Sequence, residues 1–291
     1  MRGAPFSFVL MLFASLSNSH YTASMLILTY LGVAILLFCA AFVSAIFGIG
    51  GGSLYTSLQV LFGVDIKEAA TTSLLLIIIL STGATFIYRK ADKIDWSMAF
   101  VLLIFSVLGG FFGGYVTKFI PDNILVILLI CTLITSGLIM ILGLHPKSGS
   151  SVSSRCFFWN RSKEGKDYSI NIFIAIPAAL IAGMLSGMIG VGGGVLFVPV
   201  MVVFIGVPTS VAIATSTFMV GFTAAGGFAG HVFAEHFNWI NAAIMAPVVF
   251  AGSIFGAKFM LKVESKKLRK YFGAAMFLIV LLILLKTLME V

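Results

Sequence analysis

The sequence predicts an all-α polytopic membrane protein in two homologous halves. Three observations carry that expectation: composition, a series of apolar segments of spanning length, and a duplication of motifs. Of 291 residues, 60% are hydrophobic and 10% charged, and mean hydropathy is +1.14; a soluble domain carries roughly 25% charged residues. Eight segments reach the roughly 20 residues needed to cross hydrocarbon: 24–47, 66–88, 96–117, 122–144, 171–189, 209–230, 239–261 and 271–289. Leu, Ile, Phe, Gly and Ala fill them at helical length, whereas a barrel needs short alternating strands.

Residues 1–19 offer Arg2, the apolar run FSFVLMLFASL and then small polar residues, the layout of a signal peptide or of an interfacial extension of the first helix. The first span ends on FGIGGGSL, Phe47 to Leu54. Each glycine costs a helix about 1 kcal/mol, and backbone released inside lipid is tolerated only when buried in protein or lining a watery cavity. The motif therefore marks a break. Ser53 to Phe62 then gives ten residues, about 15 Å of helix and half the hydrocarbon core, which puts the break near the midplane. The next helix opens at GVDIKE, where Asp65 is placed to cap it and Glu68 follows at capping-box spacing. Thr71, Thr72 and Ser73 lie about 9 to 12 Å into it.

Trp96 and Trp239 open matched spans as interfacial anchors. Gly109/Gly113, Gly110/Gly114 and Gly252/Gly256 have the small-xxx-small spacing of close helix packing. Residues 145–170 form a basic linker with Lys147, Arg155, Arg161, Lys163 and Lys166 among Ser and Gly clusters, expected as a flexible cytoplasmic loop. Beyond it the pattern returns. FGIGGGSL aligns with IGVGGGVL (Ile189 to Leu196), ATTS (Ala70 to Ser73) with ATST (Ala214 to Thr217), and Asp95-Trp96 with Asn238-Trp239, at offsets of 142 to 144 residues. The second half's second helix opens at GVPTS, with Pro208 suited to a first turn. The halves are therefore 24–144 and 171–291.

The net charge of +8 does not point to nucleic acid, because the cations sit in short loops between spans, where positive charge orients a membrane protein. Thirteen of 18 Lys and Arg lie in three loops, 89–93, the linker and 262–270, while the mate of the first, His231 to Asn238, has none. Parallel halves would put 262–270 outside, whereas inverted halves place all three loops in the cytoplasm, a transporter architecture. Inversion needs an odd number of crossings per half, so the glycine region must absorb one by turning back.

A half-helix starting after the glycines aims unpaired N–H groups and its positive dipole end at the break, which favours an anion. The candidate substrate-binding residues are Gly48, Gly50, Gly51, Gly52 and Ser53 with Thr71, Thr72 and Ser73, and Gly190, Gly192, Gly193 and Gly194 with Thr215, Ser216 and Thr217. Gly, Ser and Thr also serve close helix packing; their duplication at matched positions favours binding. HVFAEH holds His231, Glu235 and His236 without metal-site spacing, and His231 is a candidate for proton coupling. Cys39, Cys131 and Cys156 form no CxxC pair. No catalytic constellation, metal set or cofactor motif is visible, so the expectation is no enzyme. A carrier, a passive anion channel and a membrane enzyme or assembly factor remain as alternatives, with paired breaks favouring the carrier.

GIGGG and GVGGG near the end of each half's first helix, followed by AATTS and AIATST in the next, resemble the TauE/SafE sulfite exporters, also called TSUP permeases. The resemblance covers nearly the whole chain after Ser24. It implies a multi-span plasma-membrane carrier of small sulfur-containing anions such as sulfite or organosulfonates. Its partners would be the anion and the bilayer, with coupling ion and oligomeric state open. The family's Pro after the glycines is kept as Pro199, while the first half has Ser57.

Overall fold

Apolar runs of helical length, interrupted at glycines and polar turns, become ten helices among the residues that the computed structural model describes: 22–61, 66–142, 158–163, 165–190, 192–232 and 239–289. Residues 1–19, Asp65, 145–157, Glu235, His236 and Asn238 lie outside that set. The helices are α1 (Thr22–Phe47), α2 (Gly52–Leu61), α3 (Ile66–Lys90), α4 (Trp96–Val116), α5 (Asp122–Leu142), α6 (Ile172–Ile189), α7 (Gly194–Pro199, continuing as π-helix over Val200–Ile205), α8 (Thr209–Val232), α9 (Trp239–Met260) and α10 (Ser265–Met289). Five of them, α3, α4, α5, α6 and α8, are long and apolar enough to cross a membrane within the described residues. Phe100, Ile104, Leu108 and Phe112 make an exposed apolar stripe on α4. On a membrane protein such a face meets lipid rather than water.

Glycine contacts fix the helix directions. A Cβ on Gly109 or Gly113 of α4 would run into Leu180 and Met184 of α6, and one on Gly110 or Gly114 into Thr223 and Gly227 of α8. Residue numbers rise together along both contacts, so α4, α6 and α8 run parallel. Gly252 and Gly256 of α9 meet Phe38 and Phe42 of α1 in the same manner, and Tyr88 near the C-terminal end of α3 reaches Ala45 near the C-terminal end of α1. α1, α3 and α9 therefore form a second parallel set. The sets oppose each other, because the α3–α8 contact pairs Ser81 with Thr217 but Leu74 with Gly227. The contacts of α4 with α6 recur between α9 and α1 at shifts of 142 and 143 residues.

This arrangement gathers the basic segments at one end. Lys163 pairs with Asp92 at 2.8 Å and Arg161 with Asp95 at 2.9 Å, placing the end of the linker beside the α3–α4 turn. The α9–α10 turn, Leu261 to Glu264, shares that end because α9 runs parallel to α3. At the opposite end Lys67 pairs with Asp122 at 3.2 Å.

Part of the expected flexible linker is ordered. Phe158–Lys163 (β1) and Lys166–Asn171 (β2) form an antiparallel hairpin pairing Arg161 with Tyr168, and Gly165 supplies a positive φ of 68° in its turn. Asn171 then caps α6, its side chain accepting from Phe173 N–H at 3.1 Å.

Candidate functional site

Three glycines in each break take left-handed backbone: Gly48, Gly50 and Gly51 at φ 67°, 78° and 85°, and Gly190, Gly192 and Gly193 at 73°, 84° and 76°. Other residues reach that region only with strain, so here the glycines are a backbone requirement. Cβ atoms on Gly50 and on Gly192 would meet the same two side chains, Ile77 and Val220. Each is eleven residues into its helix, about 17 Å deep, so both breaks pass through the centre of the bundle.

The long helices overshoot that centre before turning. Gly48 lies against Ile213, seven residues before Val220, and Gly190 against Ala70, seven residues before Ile77. Since α3 and α8 are antiparallel, α1 and α6 each pass the centre by about 10 Å, in opposite directions. The glycine segments then double back past one another, with Gly194 against Gly48 and Ile49. α2 runs on to the start of α3, as Gln59 donates to Ser73 Oγ at 3.0 Å and Thr56 Oγ1 sits 3.0 Å from the same atom.

The two hydroxyl triplets are brought to the breaks crosswise. Ser216 on α8 donates to Gly48 O at 2.8 Å, and Thr56 lies within 3.4 Å of Gly190 O, beside Ser73. Most triplet hydroxyls are already used. Thr71 donates to Lys67 O and Thr217 to Ile213 O, both at 2.8 Å, while Thr215 Oγ1 accepts from Asp95 N–H at 3.0 Å. Thr72 Oγ1 is buried with no partner among the described residues; the equivalent of Asp95 for it, Asn238, lies outside them. Of the triplet hydroxyls, Ser216 thus bonds a break directly and Ser73 meets one through Thr56, while Thr71 and Thr217 bond their own helices. Ser53 is the second residue of α2, and its backbone N–H lies in the first turn.

Three groups escaped the sequence reading. Ser44 and Ser186 stand four residues before Gly48 and Gly190, in SAIFG and SGMIG. Both are buried with hydroxyls unpartnered among the described residues, as is the Tyr55 hydroxyl. The signal lay in the duplication, where the serines match at the offset that aligns the glycines. Ser186 and Gly193 line one narrow crevice with Thr132, Ala182, Leu185 and Ile189. His231 is fully buried with Nε2 2.8 Å from Gly187 O. The equivalent side chain in the first half is Tyr88, which donates to Ala45 O.

Asp95 is the charged residue found buried among the described residues. It caps α4 by accepting from Met98 N–H at 3.2 Å, and it receives Arg161 Nη2 at 2.9 Å and the Tyr168 hydroxyl. Burial pushes its carboxyl upward, but the bonds from Arg161, Tyr168 and Met98 and the guanidinium charge outweigh that and hold it below the usual carboxylate value. Burial first, and then the Asp95 hydrogen bond and charge, push the Tyr168 hydroxyl up.

A family profile described as Sulfite exporter TauE/SafE matches residues 33–283. Probable membrane transporter protein YunE of Bacillus subtilis is 29% identical over 253 residues, covering 84% of this chain and 91% of the relative. A probable membrane transporter protein of Methanocaldococcus jannaschii is 28% identical over 248 residues, 80% and 86% of the two chains. YdhB of Bacillus subtilis, also named a probable membrane transporter protein, is 21% identical over 229 residues, 78% and 89%. No solved structure gives a significant match. With the profile spanning both breaks and the five long apolar helices, the chain belongs to the sulfite exporter TauE/SafE family and is an integral, multi-pass membrane transporter.

Proposed function

We propose that this transporter carries a small sulfur oxyanion, sulfite or an organosulfonate, across the cell membrane at a site between two inverted halves. The observation that carries the reading is the meeting of both glycine breaks at the centre, against Ile77 and Val220. There the first turn of α2 holds Gly52, Ser53 and Leu54 N–H ahead of the first intrahelical bond, Tyr55 N–H to Gly51 O at 2.8 Å. No acidic residue stands in that turn, so its dipole is open to an anion. Neutral N–H and O–H donors bind an oxyanion without an ion pair, which suits a carrier that must also release it.

Inversion is supported by the recurrence of the α4–α6 contacts between α9 and α1, and by basic segments sharing one end. With each first helix and its break forming a re-entrant pair, three crossings remain per half, the odd number inversion needs. Purified protein in vesicles should move sulfite, with acceleration by anion on the opposite side. Conductive flux without such counterflow makes the protein a channel, and flux of no sulfur oxyanion overturns the substrate class.

A further inference from the structure

We infer that the anion is held at the first break alone, by the Ser44 and Tyr55 hydroxyls together with the N-terminal N–H groups of α2; this assignment rests on the carrier reading above. Ser44 and Tyr55 are both fully buried, and neither hydroxyl has a hydrogen-bond partner among the described residues. They come from different helices and flank one point. A Cβ on Gly51 would stand 3.0 Å from Ser44 Oγ and 2.9 Å from Tyr55 Cζ. Gly51 is the residue before α2 begins, so both hydroxyls border the positive end of a ten-residue helix.

The surroundings make these donors costly to leave unused. Tyr55 belongs to a buried apolar cluster with Leu37, Ala40, Ala41, Leu76 and Leu80, and Ser44 extends the Ala40/Ala41 face by one turn. In so apolar a setting an unpaired hydroxyl forfeits its hydration with nothing in return, while a bond to an anion is strengthened. An oxyanion offers several acceptor oxygens and accepts from both hydroxyls and the helix N–H groups at once.

The second break is built differently. Phe197 occupies the place of Tyr55, packing on Gly193 as Tyr55 packs on Gly51, and so removes one donor. Ser186 keeps its unpartnered hydroxyl, but the helix beyond runs only six residues before widening at Pro199. The duplicated motifs thus give one anion site and one structural counterpart.

The test uses the full chain, purified and reconstituted, with sulfite as probe. Ser44→Ala and Tyr55→Phe each remove a hydroxyl and little volume, and each should raise the half-saturating sulfite concentration about tenfold, the effect of one hydrogen bond to a charged group. Ser186→Ala should leave it within about twofold. Melting temperature supplies a second readout. Without anion Tyr55→Phe should melt no lower than wild type, because the lost hydroxyl had no protein partner, and sulfite should stabilise it less. A lower anion-free melting temperature, or wild-type sulfite affinity in both first-break variants, overturns the assignment while leaving the carrier intact. An equal loss in Ser186→Ala overturns the restriction to one break. Wild-type protein that neither moves nor is stabilised by any sulfur oxyanion overturns the carrier reading and this assignment with it.

Discussion

A proline and a serine from different helices show how one residue's defect sets another's role. Pro199 has no N–H, so Val195 O, four residues earlier, loses its helical donor; the Ser136 hydroxyl on α5 donates to that carbonyl. Ser57 stands at the matching place in α2; unlike proline it keeps its N–H and so creates no such orphan. Ser136→Ala should cost about 1 to 3 kcal/mol by leaving a buried acceptor unpaired, and markedly less in a Pro199→Ser background. Additive losses in a double-mutant cycle would reject the pairing. Gly193 is a second test at this scale. Its φ of 76° and its contact with Phe197 leave no room for a side chain, so Gly193→Leu should insert but lose most sulfite flux. Wild-type flux from that variant would show that the second break does not support the first.

Among the elements, the hairpin is the one that composition hid. A stretch rich in Lys, Ser and Gly reads as loop, yet the pairing of Arg161 with Tyr168 sets both side chains on one face, and both reach Asp95. Asp95 in turn donates its N–H to Thr215, one residue from the serine that holds Gly48 O. A continuous run of contacts thus ties the basic end to the first break. Because the folded Asp95 carboxyl sits below its unfolded value of about 3.9, its contribution is present above that value and fades as pH falls through the lower, folded one. The hairpin should therefore resist trypsin at Arg161 and Lys163 at neutral pH, and its amide-exchange protection should hold down to about pH 4 and fall only in stronger acid. Asp95→Asn should be cleaved faster at neutral pH and lose the acid dependence; unchanged protection would show that the carboxylate does not hold the hairpin.

For the whole molecule, the direction of each helix turns the charge pattern into a testable topology. In a chain whose own cysteines are replaced, Lys267→Cys should react with an impermeant thiol reagent only from the cytoplasmic side and Asp122→Cys only from outside. Reaction of both from one side would end the inverted arrangement. Much of this was legible in local sequence: apolar length gave the membrane and the helices, and glycine triplets gave the breaks. How a first helix long enough to cross the membrane can end in a midplane break was not legible there. α1 and α6 overshoot the centre and turn back past each other, a geometry that exists only when both halves are present.

The sequence alone determined that the chain lives in a bilayer, that it is helical, where its helices break and where its cations gather, since hydropathy, glycine strain and loop charge act over a few neighbouring residues. Only the tertiary structure decided which hydroxyls are spent and which stay unpartnered. Thr71 and Thr217 are satisfied one turn back, Ser216 by the opposite break, while Ser44 and Tyr55 find no partner among the described residues. Hydrogen-bond satisfaction depends on atoms far away in the chain, and the pairing of α3 with α8 across the centre is what brings those atoms to the glycines.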